Sequence, residues 1–295
     1  MFNDGRFFVG IGPPKTATTW LHQSLSYHPD LLLPPLKEIG YFWEKQCLPM
    51  NGYFARFSSR HWFYRQKRRH VLGSLRRTLQ GKAGLDKLKW NMRYFLWPHT
   101  DEWYRQLFDA GYVSGDITPK YSELTATSVQ NMRNTVGAAR IVMTVRDPVE
   151  REWSRAKMNL CARRNLRPDQ VPRDEWFRHF DDEAQAAAND YLEIYDRWAG
   201  VFGKENIHLI FIDEIVEDSW EVYRRLCGFL GVSDPDESLR DAVSKPAHTG
   251  LISDIPEEYQ HYLFRRHEDK MRDFARRFDA YPFPANWLSR GPYVS

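Results

Sequence analysis

The chain has 295 residues, of which 42% are hydrophobic, enough for the core of one large α/β domain or two small ones. Its three cysteines, Cys47, Cys161 and Cys227, are far apart and show no paired Cys/His spacing, which argues against a disulfide framework or a zinc site. No apolar stretch is long enough to span a membrane, and no signal peptide precedes the first predicted strand. We therefore expect a cytoplasmic protein that is at most peripheral to a membrane.

The net charge of +3 conceals an uneven distribution. The segment from Arg56 to Arg93 holds twelve Lys or Arg and one acid, Asp86, so it carries +11 and the rest of the chain −8. Residues 45–110 also lack an alternation of strands and helices and contain many aromatic residues. We interpret residues 45–110 as a helical, basic insertion beside a sheet. The alternative is that the charges of residues 56–93 form only a solvated helix face.

Elsewhere strands alternate with helices, which predicts an α/β fold with a parallel sheet covered by helices on both faces. A single domain over residues 1–295 is expected. The predicted strands are Phe7–Ile11, a short one at Leu31–Leu33, one within Gly111–Pro119, Arg140–Val145 and Ile207–Ile212. The predicted helices are Thr16–Leu25, Pro148 to about Arg163, Glu183–Phe202, one ending at Leu230, and Tyr259–Phe278. Asp147 should cap the second of these helices, with Glu150 closing a capping box.

The first predicted strand runs through Gly12-Pro13-Pro14 into Lys15 and a hydroxyl-rich helix start. Free N–H groups and the helix dipole favour an anion at such a start, and Lys15 adds a positive charge. A nucleoside-triphosphate loop, G-x-x-x-x-G-K-[ST], does not fit, because Pro14 and Val9 stand where its glycines are required. An ordinary strand–turn–helix with a solvated lysine is the alternative.

The stretch resembles the 5′-phosphosulfate loop of sulfotransferases that use 3′-phosphoadenosine 5′-phosphosulfate (PAPS). That loop has the pattern P-K-[ST]-[GA]-T-[ST]-W-L, which the segment from Pro14 to Leu21 matches at every position. The resemblance implies a P-loop-kinase-like sheet and gives Lys15 a catalytic role at the leaving phosphate. It also implies that the donor is bound by Pro14, Lys15, Thr16, Ala17, Thr18, Thr19 and Trp20.

Arg146 follows a buried strand, where open α/β sheets bind ligands, and Ser154 lies about two helical turns later. The pair could grip one phosphate through a guanidinium and a hydroxyl. It resembles the family's 3′-phosphate motif, which implies that Arg146 and Ser154 bind the donor. Alternatively, Arg146 pairs with a local carboxylate and Ser154 faces solvent.

The segment Lys37-Glu38-Ile39-Gly40-Tyr41-Phe42 is similar to the K-E-x-x-[YF]-F segment of heparan-sulfate and related carbohydrate sulfotransferases. The resemblance makes Glu38 the catalytic base and places Lys37 beside the substrate. Both residues could instead be surface charges at a strand exit. Cytosolic small-molecule sulfotransferases use a histidine, for which His99 is the first candidate here.

Two further matches are looser. The segment from Asp116 to Tyr121 resembles the family's [DE]-K-[ST]-P-x-Y strand end, but Ile117 replaces its lysine, and Lys120 could substitute at the substrate. Near the C-terminus, Lys245, His248 and Thr249 lie in a segment that resembles a loop closing over the nucleotide.

The sequence thus predicts a PAPS-dependent sulfotransferase with PAPS as donor, adenosine 3′,5′-bisphosphate (PAP) as by-product and no metal. The expected acceptor is a hydroxyl or amine, favoured to be on a carbohydrate or glycolipid, with peripheral membrane contact through the basic insertion and no nucleic-acid partner. Two alternatives remain: a kinase-like nucleotide-dependent phosphotransferase, and a non-catalytic binder of anionic polymers through residues 56–93.

Overall fold

A computed structural model describes residues 6–48, 55–80, 84–108, 111–245 and 255–291. Its centre is a sheet of four parallel strands in the order β2-β1-β3-β4. The strands are β1 (Phe7–Gly10), β2 (Ser114–Ile117), β3 (Arg140–Val145) and β4 (Ile207–Phe211). The carboxyl ends of all four strands therefore lie along one edge of the sheet.

Successive residues of β1, β3 and β4 supply two separate cores. Phe7, Val9, Met143 and Phe211 belong to the core on one face of the sheet. The residues between them, such as Phe8, Val142 and Ile210, belong to the core on the opposite face. Both faces are buried because strand side chains point alternately to either side, and this explains the nearly continuous apolar runs in the sequence.

The larger core lies against helices α7 (Ala126–Val136), α11 (Tyr191–Phe202), α14 (Glu257–Arg277) and α15 (Pro282–Ser289). The smaller core lies against α1 (Thr18–Leu25), α12 (Ile212–Leu230) and α13 (Arg240–Ser244). The other helices of this part are α8 (Pro148–Ala156), α9 (Arg173–Phe180) and α10 (Glu183–Ala188). The predicted α/β fold with helices on both faces is confirmed.

Between β1 and β2, the regular secondary structure of the described residues beyond α1 is helical apart from one bridge. These helices are α2 (Tyr41–Cys47), α3 (Ala55–Ser58), α4 (Trp62–Leu79), α5 (Leu85–Leu96) and α6 (Asp101–Arg105). Helices α4 and α5 pack on one another and carry most of the basic residues. The predicted helical insertion is confirmed. No described helix has both the length and the apolar character needed to cross a membrane.

Several predicted elements differ in detail. Leu31–Leu33 is not a strand, because only Leu31 pairs, in a single bridge to Val113, before Pro34 and Pro35 remove the next N–H donors. The predicted helix 183–202 is broken into α10 and α11 at Asn189, and Asp190 caps the second helix. Helix α8 ends at Ala156 and continues as a π-helical turn, Lys157–Cys161.

The predicted cap of α8 is half correct. The Val149 N–H donates to the Asp147 carboxylate at 2.9 Å, as expected of a cap. Glu150, however, does not close a capping box. Its carboxylate accepts instead from the guanidinium groups of Arg146 and Arg290. These ion pairs are stronger partners for a carboxylate than a single backbone N–H.

Candidate active site

The loop after β1 is held close to the neighbouring strand. A Cβ added to Gly12 would lie 1.8 Å from the Thr144 Oγ1, so only glycine fits there. Thr16 is fully buried, and its hydroxyl donates to the Pro13 carbonyl at 2.7 Å and lies 2.8 Å from the Thr144 hydroxyl. Thr16 therefore belongs to the loop, and α1 begins two residues later than predicted, at Thr18.

The two residues beside Thr16 have an unusual backbone. Lys15 and Ala17 have φ values of +81° and +64°, in the left-handed region that residues with a Cβ rarely adopt. Ala17 occupies the N-cap position of α1 and supplies no side-chain cap, so the first N–H groups of that helix are left to another acceptor. Strained backbone beside an uncapped helix start is the arrangement expected of an anion-binding loop.

Arg146 and Ser154 both lie on the segment that leaves β3. The Arg146 side chain is half-buried and bonds to Glu150, with its Nη2 3.1 Å from the carboxylate. The Arg146 carbonyl accepts from the Tyr191 hydroxyl at 2.8 Å, which fixes the backbone there. Ser154 is half-buried two turns further along. The predicted alternative, a local carboxylate partner for Arg146, is thus present.

Four cations converge near the loop; we call Lys15, Arg146, Arg155 and Lys157 the cation cluster. Burial lowers the pKa of Lys15, and the charges of Arg146 and Arg155 lower it further. Burial likewise lowers the pKa of Lys157, together with Arg146 and Lys15. Because these charges disfavour one another, a polyanion bound among them would relieve the repulsion.

The Lys37-Glu38 segment meets the start of α1. The Lys37 ammonium donates to the Thr19 hydroxyl at 3.0 Å and to that of Thr18 at 3.4 Å. It also pairs with the Glu38 carboxylate at 3.5 Å. Lys37 is therefore a bridge that brings Glu38 beside the loop of Lys15.

Hydrogen bonds from Trp20 and Arg151 connect the loop to the rest of the fold. The Trp20 indole is buried and donates to the Val243 carbonyl at 3.0 Å, which ties α1 to α13. The fully buried Arg151 guanidinium donates to the Pro14 carbonyl at 3.4 Å and to the Gln185 carbonyl at 3.1 Å. The loop is thus anchored to both cores.

The remaining predicted site residues lie further out or outside the described residues. Lys120 donates to Glu123 at 2.6 Å and lies over the Trp43 ring, 5.6 Å from its centroid. Lys245 ends α13 at the edge of the described residues. His248 and Thr249 lie outside the described residues, so their assignment stays a prediction.

His99, the alternative base, has both ring nitrogens engaged. Its Nδ1 lies 2.9 Å from the Glu44 carboxylate and its Nε2 3.0 Å from the Tyr94 carbonyl. The ring also stacks on Trp103, with centroids 3.8 Å apart. This arrangement leaves neither nitrogen for an acceptor proton.

No motif in the sequence identifies Arg155, Arg151 or Lys67 as residues of the site. Arg151 and Arg155 are one helical turn apart on α8, the helix of Ser154, so that spacing could have shown that they share a face. Lys67 lies in a run of basic residues that look alike in the sequence. Its helical spacing with Tyr64, Val71 and Ser74 is the signal that could have placed it on a buried face. Within the described ranges no group of His, Cys, Asp or Glu could hold a metal ion.

A parallel sheet with a strained, cationic loop at its carboxyl edge is the arrangement with which open α/β proteins bind phosphate-like anions. Residues 7–236 match the model of the Sulfotransferase family, and the chain belongs to that family. It is therefore a PAPS-dependent sulfotransferase rather than a kinase-like phosphotransferase.

Solved structures show the same fold. A sulfotransferase from Alicyclobacillus acidocaldarius is 20% identical with a TM-score of 0.52, covering 98% of this chain and 95% of that one. The sulfotransferase domain of the Synechococcus PCC 7002 olefin synthase is 18% identical with a TM-score of 0.55, covering 93% and 94%. A sulfotransferase domain from the curacin biosynthetic pathway is 15% identical with a TM-score of 0.53, covering 85% and 82%. No curated protein matches the sequence.

Proposed function

We propose that this enzyme transfers the sulfuryl group of PAPS to a hydroxyl or amine of a carbohydrate or glycolipid, with Glu38 as the base. The observation that carries the proposal is the Lys37 bridge, which joins the Thr19 hydroxyl of the donor loop to the Glu38 carboxylate. A proton acceptor and an anion-binding helix start are thus connected through one side chain.

On the donor side, the loop from Pro14 to Trp20 would hold the 5′-phosphosulfate. The uncapped N–H groups of α1 and the Thr18 and Thr19 hydroxyls are suitable donors. Arg146 and Ser154 would hold the 3′-phosphate, which requires Arg146 to exchange Glu150 for the ligand. We assign Lys245, His248 and Thr249 to nucleotide binding as well.

In the transfer step, Glu38 would accept the proton of the acceptor hydroxyl or amine. The acceptor oxygen or nitrogen forms a bond to sulfur as the bond from sulfur to the 5′-phosphate oxygen breaks. Lys15 would neutralise the charge that develops on that leaving oxygen. Such positioning and charge stabilisation is the main catalytic contribution expected in group transfer of this kind.

The acceptor would enter from the side of the basic insertion. Lys37 lies beside Glu38, and the half-buried Lys120, which pairs with Glu123, would add a second cation. Lysine ammonium groups suit the hydroxyl or acidic groups of a carbohydrate, because they donate charge-assisted hydrogen bonds.

We further propose that the insertion contacts an anionic membrane. One face of α4, which we call the Arg–Leu stripe, consists of Arg65, Arg69, Leu72, Arg76 and Leu79, spaced by four and three residues. Its three arginines are exposed, and Leu72 and Leu79 are 65% and 80% exposed. Mixed cationic and apolar side chains on one helix face suit the boundary of an acidic lipid surface.

Glu38→Gln tests the proposal, because it keeps the shape and removes the proton acceptor. Labelled PAPS would be supplied with two acceptors, a neutral hexosyl lipid in vesicles and a soluble amino-sugar oligomer. We expect PAP affinity within about twofold of wild type and a loss of roughly a hundredfold in rate. The control is Glu102→Gln on α6, whose carboxylate is exposed.

Normal turnover by Glu38→Gln would show that another residue is the catalytic base. Turnover of the wild type on neither acceptor would contradict the proposed acceptor class. A thermal shift with PAP, compared with ATP and magnesium, checks the donor side separately, since only PAP should stabilise the protein strongly.

A further inference from the structure

The loop that carries Glu38 needs support from outside. Glu38 has a φ of +64° and Gly40 a φ of +73°, so two left-handed residues lie within three positions. Glycine adopts this conformation freely, whereas glutamate is strained in it. Strain at a residue with a Cβ persists only where neighbouring groups impose it.

Three hydrogen bonds from other elements hold the turn of residues 38–40 in its left-handed conformation. The Lys67 ammonium of α4 donates to the Glu38 carbonyl. The Ile39 N–H donates to the Asp116 carboxylate at the end of β2, at 3.4 Å, and the Tyr94 hydroxyl donates to the Ile39 carbonyl at 3.3 Å. The polar backbone groups of the turn are therefore held by one strand and two helices of the insertion.

Lys67 differs from the other basic residues of its helix. Its exposed fraction is 5%, whereas Arg65 and Arg69 are exposed. Its ammonium also lies 5.6 Å from the centroid of the Tyr94 ring. A lysine that is almost fully buried is unusual, because its charge loses the hydration that water would supply.

The surroundings of Lys67 are acidic. Burial lowers its pKa to about 8, opposed by the charges of Glu38, Asp116 and Glu44. Asp116 in turn accepts from the hydroxyls of Tyr121 at 2.7 Å and Tyr104 at 3.1 Å. The Glu44 carboxylate accepts from the Tyr64 hydroxyl and lies beside His99. On α4 itself, burial lowers the pKa of His70, and the charge of Lys67 lowers it further. The buried ammonium is thus a positive centre among Asp116, Glu44 and the partly exposed Glu38.

We propose that Lys67 is a positioning residue for acceptor activation: its ammonium holds the Glu38 carbonyl and keeps the turn of residues 38–40 left-handed. The inference rests on the proposed role of Glu38 as the base. The basic insertion then has two separate parts, an exposed stripe and one buried lysine that acts on the reacting centre through Glu38.

Hydrogen–deuterium exchange tests the positional part without an acceptor. In Lys67→Met, which removes the donor and keeps an unbranched side chain, we expect the Ile39 and Gly40 amides to exchange at least about tenfold faster at pH 7. The matched control, Arg69→Met, removes an exposed cation two residues away and should leave these amides unchanged. Unchanged exchange in Lys67→Met would overturn the proposal.

A merely structural lysine would give a different pattern. We expect the Tm of Lys67→Met to stay within a few degrees of wild type, because a lost hydrogen bond is offset by removal of a buried charge. General loss of protection across α2, α4 and α5 with a large fall in Tm would show that Lys67 only supports packing, and would overturn the proposal.

The kinetic part separates Lys67 from Glu38. We expect Lys67→Met to lower kcat by about tenfold or more while the PAP dissociation constant stays within about twofold. Added to Glu38→Gln it should have little further effect, because it acts through that carboxylate. Fully additive losses would overturn the proposal. Normal turnover by Glu38→Gln alone would instead contradict Glu38 as the base, and the exchange result would still decide whether Lys67 holds the turn.

Discussion

The cationic side chains of the donor side repel one another. Burial lowers the pKa of Lys15, and the charges of Arg146 and Arg155 lower it further. A lysine whose pKa is lowered by folding destabilises the fold while it is protonated, and this cost is relieved as the pH rises through its folded pKa. The cluster is therefore arranged for a ligand and not for stability.

Lys15→Ala should show whether the charge of Lys15 serves sulfuryl transfer or the stability of the fold. We expect the rate of sulfuryl transfer to fall by roughly a hundredfold or more, since one lost charge at the reacting centre costs about 2 to 4 kcal/mol of transition-state stabilisation. The Tm should not fall, because a disfavoured charge has been removed. Single-turnover rates and thermal unfolding check both points, with exposed Lys204→Ala as the control. Near-normal turnover in a folded Lys15→Ala protein would refute the assigned role.

Arg146 and Glu150 form a pair that the 3′-phosphate should disrupt. Arg146→Ala should weaken PAP by tenfold or more but adenosine 5′-phosphate much less, because a charge-assisted contact contributes about 1.5 to 3 kcal/mol. Glu150→Gln should have the opposite effect and strengthen PAP binding, since it frees the guanidinium. Titration calorimetry with both nucleotides measures the difference. Equal losses for the two nucleotides in Arg146→Ala would mean that Arg146 does not hold the 3′-phosphate.

At the scale of elements, the β1 loop depends on its close approach to β3. In Gly12→Ala the new Cβ would meet the Thr144 Oγ1 at 1.8 Å and the Thr144 carbonyl at 2.8 Å. We expect a loss of about 3 kcal/mol or more in the free energy of unfolding, measured in urea, and loss of PAP binding. The control Gly200→Ala lies on α11 with open space around it, and should stabilise by about 0.5 to 1 kcal/mol. A stable Gly12→Ala protein that binds PAP would contradict this account.

The elements that the sequence predicted correctly are those whose signal is local. β3 coincides with Arg140–Val145, because a buried strand needs only an uninterrupted apolar run. The break at Asn189 was missed because its cause is distant in sequence: the Asn189 amide donates at 2.7 Å to Glu152, which lies 2.6 Å from His267 of α14. No periodicity within residues 183–202 shows that this side chain is required in a buried polar group.

The distinction between local signals and contacts distant in sequence also holds for the site. A continuous motif places Lys15, and its matched spacing was sufficient for a prediction. Lys67 stands in a run of similar residues, and only the packing of α4 on α5 shows which of them is buried. Long-range charge effects, such as that of Arg155 on Lys15, depend on folded distances that no spacing gives.

At the scale of the whole molecule, charge is divided between the donor edge of the sheet and the outer surface of the insertion. The cation cluster lies where β1 and β3 end, whereas the Arg–Leu stripe faces solvent on α4. The opposite face of α4 is buried through Tyr64, Val71 and Ser74, so the stripe is free to meet a partner. Reversing its charges should therefore affect encounters with an anionic surface and leave donor binding alone.

The double variant Arg69→Glu/Arg76→Glu tests this division. Binding to vesicles containing phosphatidylserine should weaken at least tenfold at low salt, because each basic residue near such a surface contributes about 1 kcal/mol. The difference from wild type should shrink as salt rises, since exposed charges are screened within about 10 Å at 0.1 M. The control, Lys204→Glu/Arg277→Glu, changes the net charge equally at exposed positions away from the stripe. Sedimentation with vesicles measures the binding, and PAP affinity should match wild type in both variants. If both double variants weaken vesicle binding alike, net charge and not the stripe drives the contact; if neither does, α4 is only a solvated face.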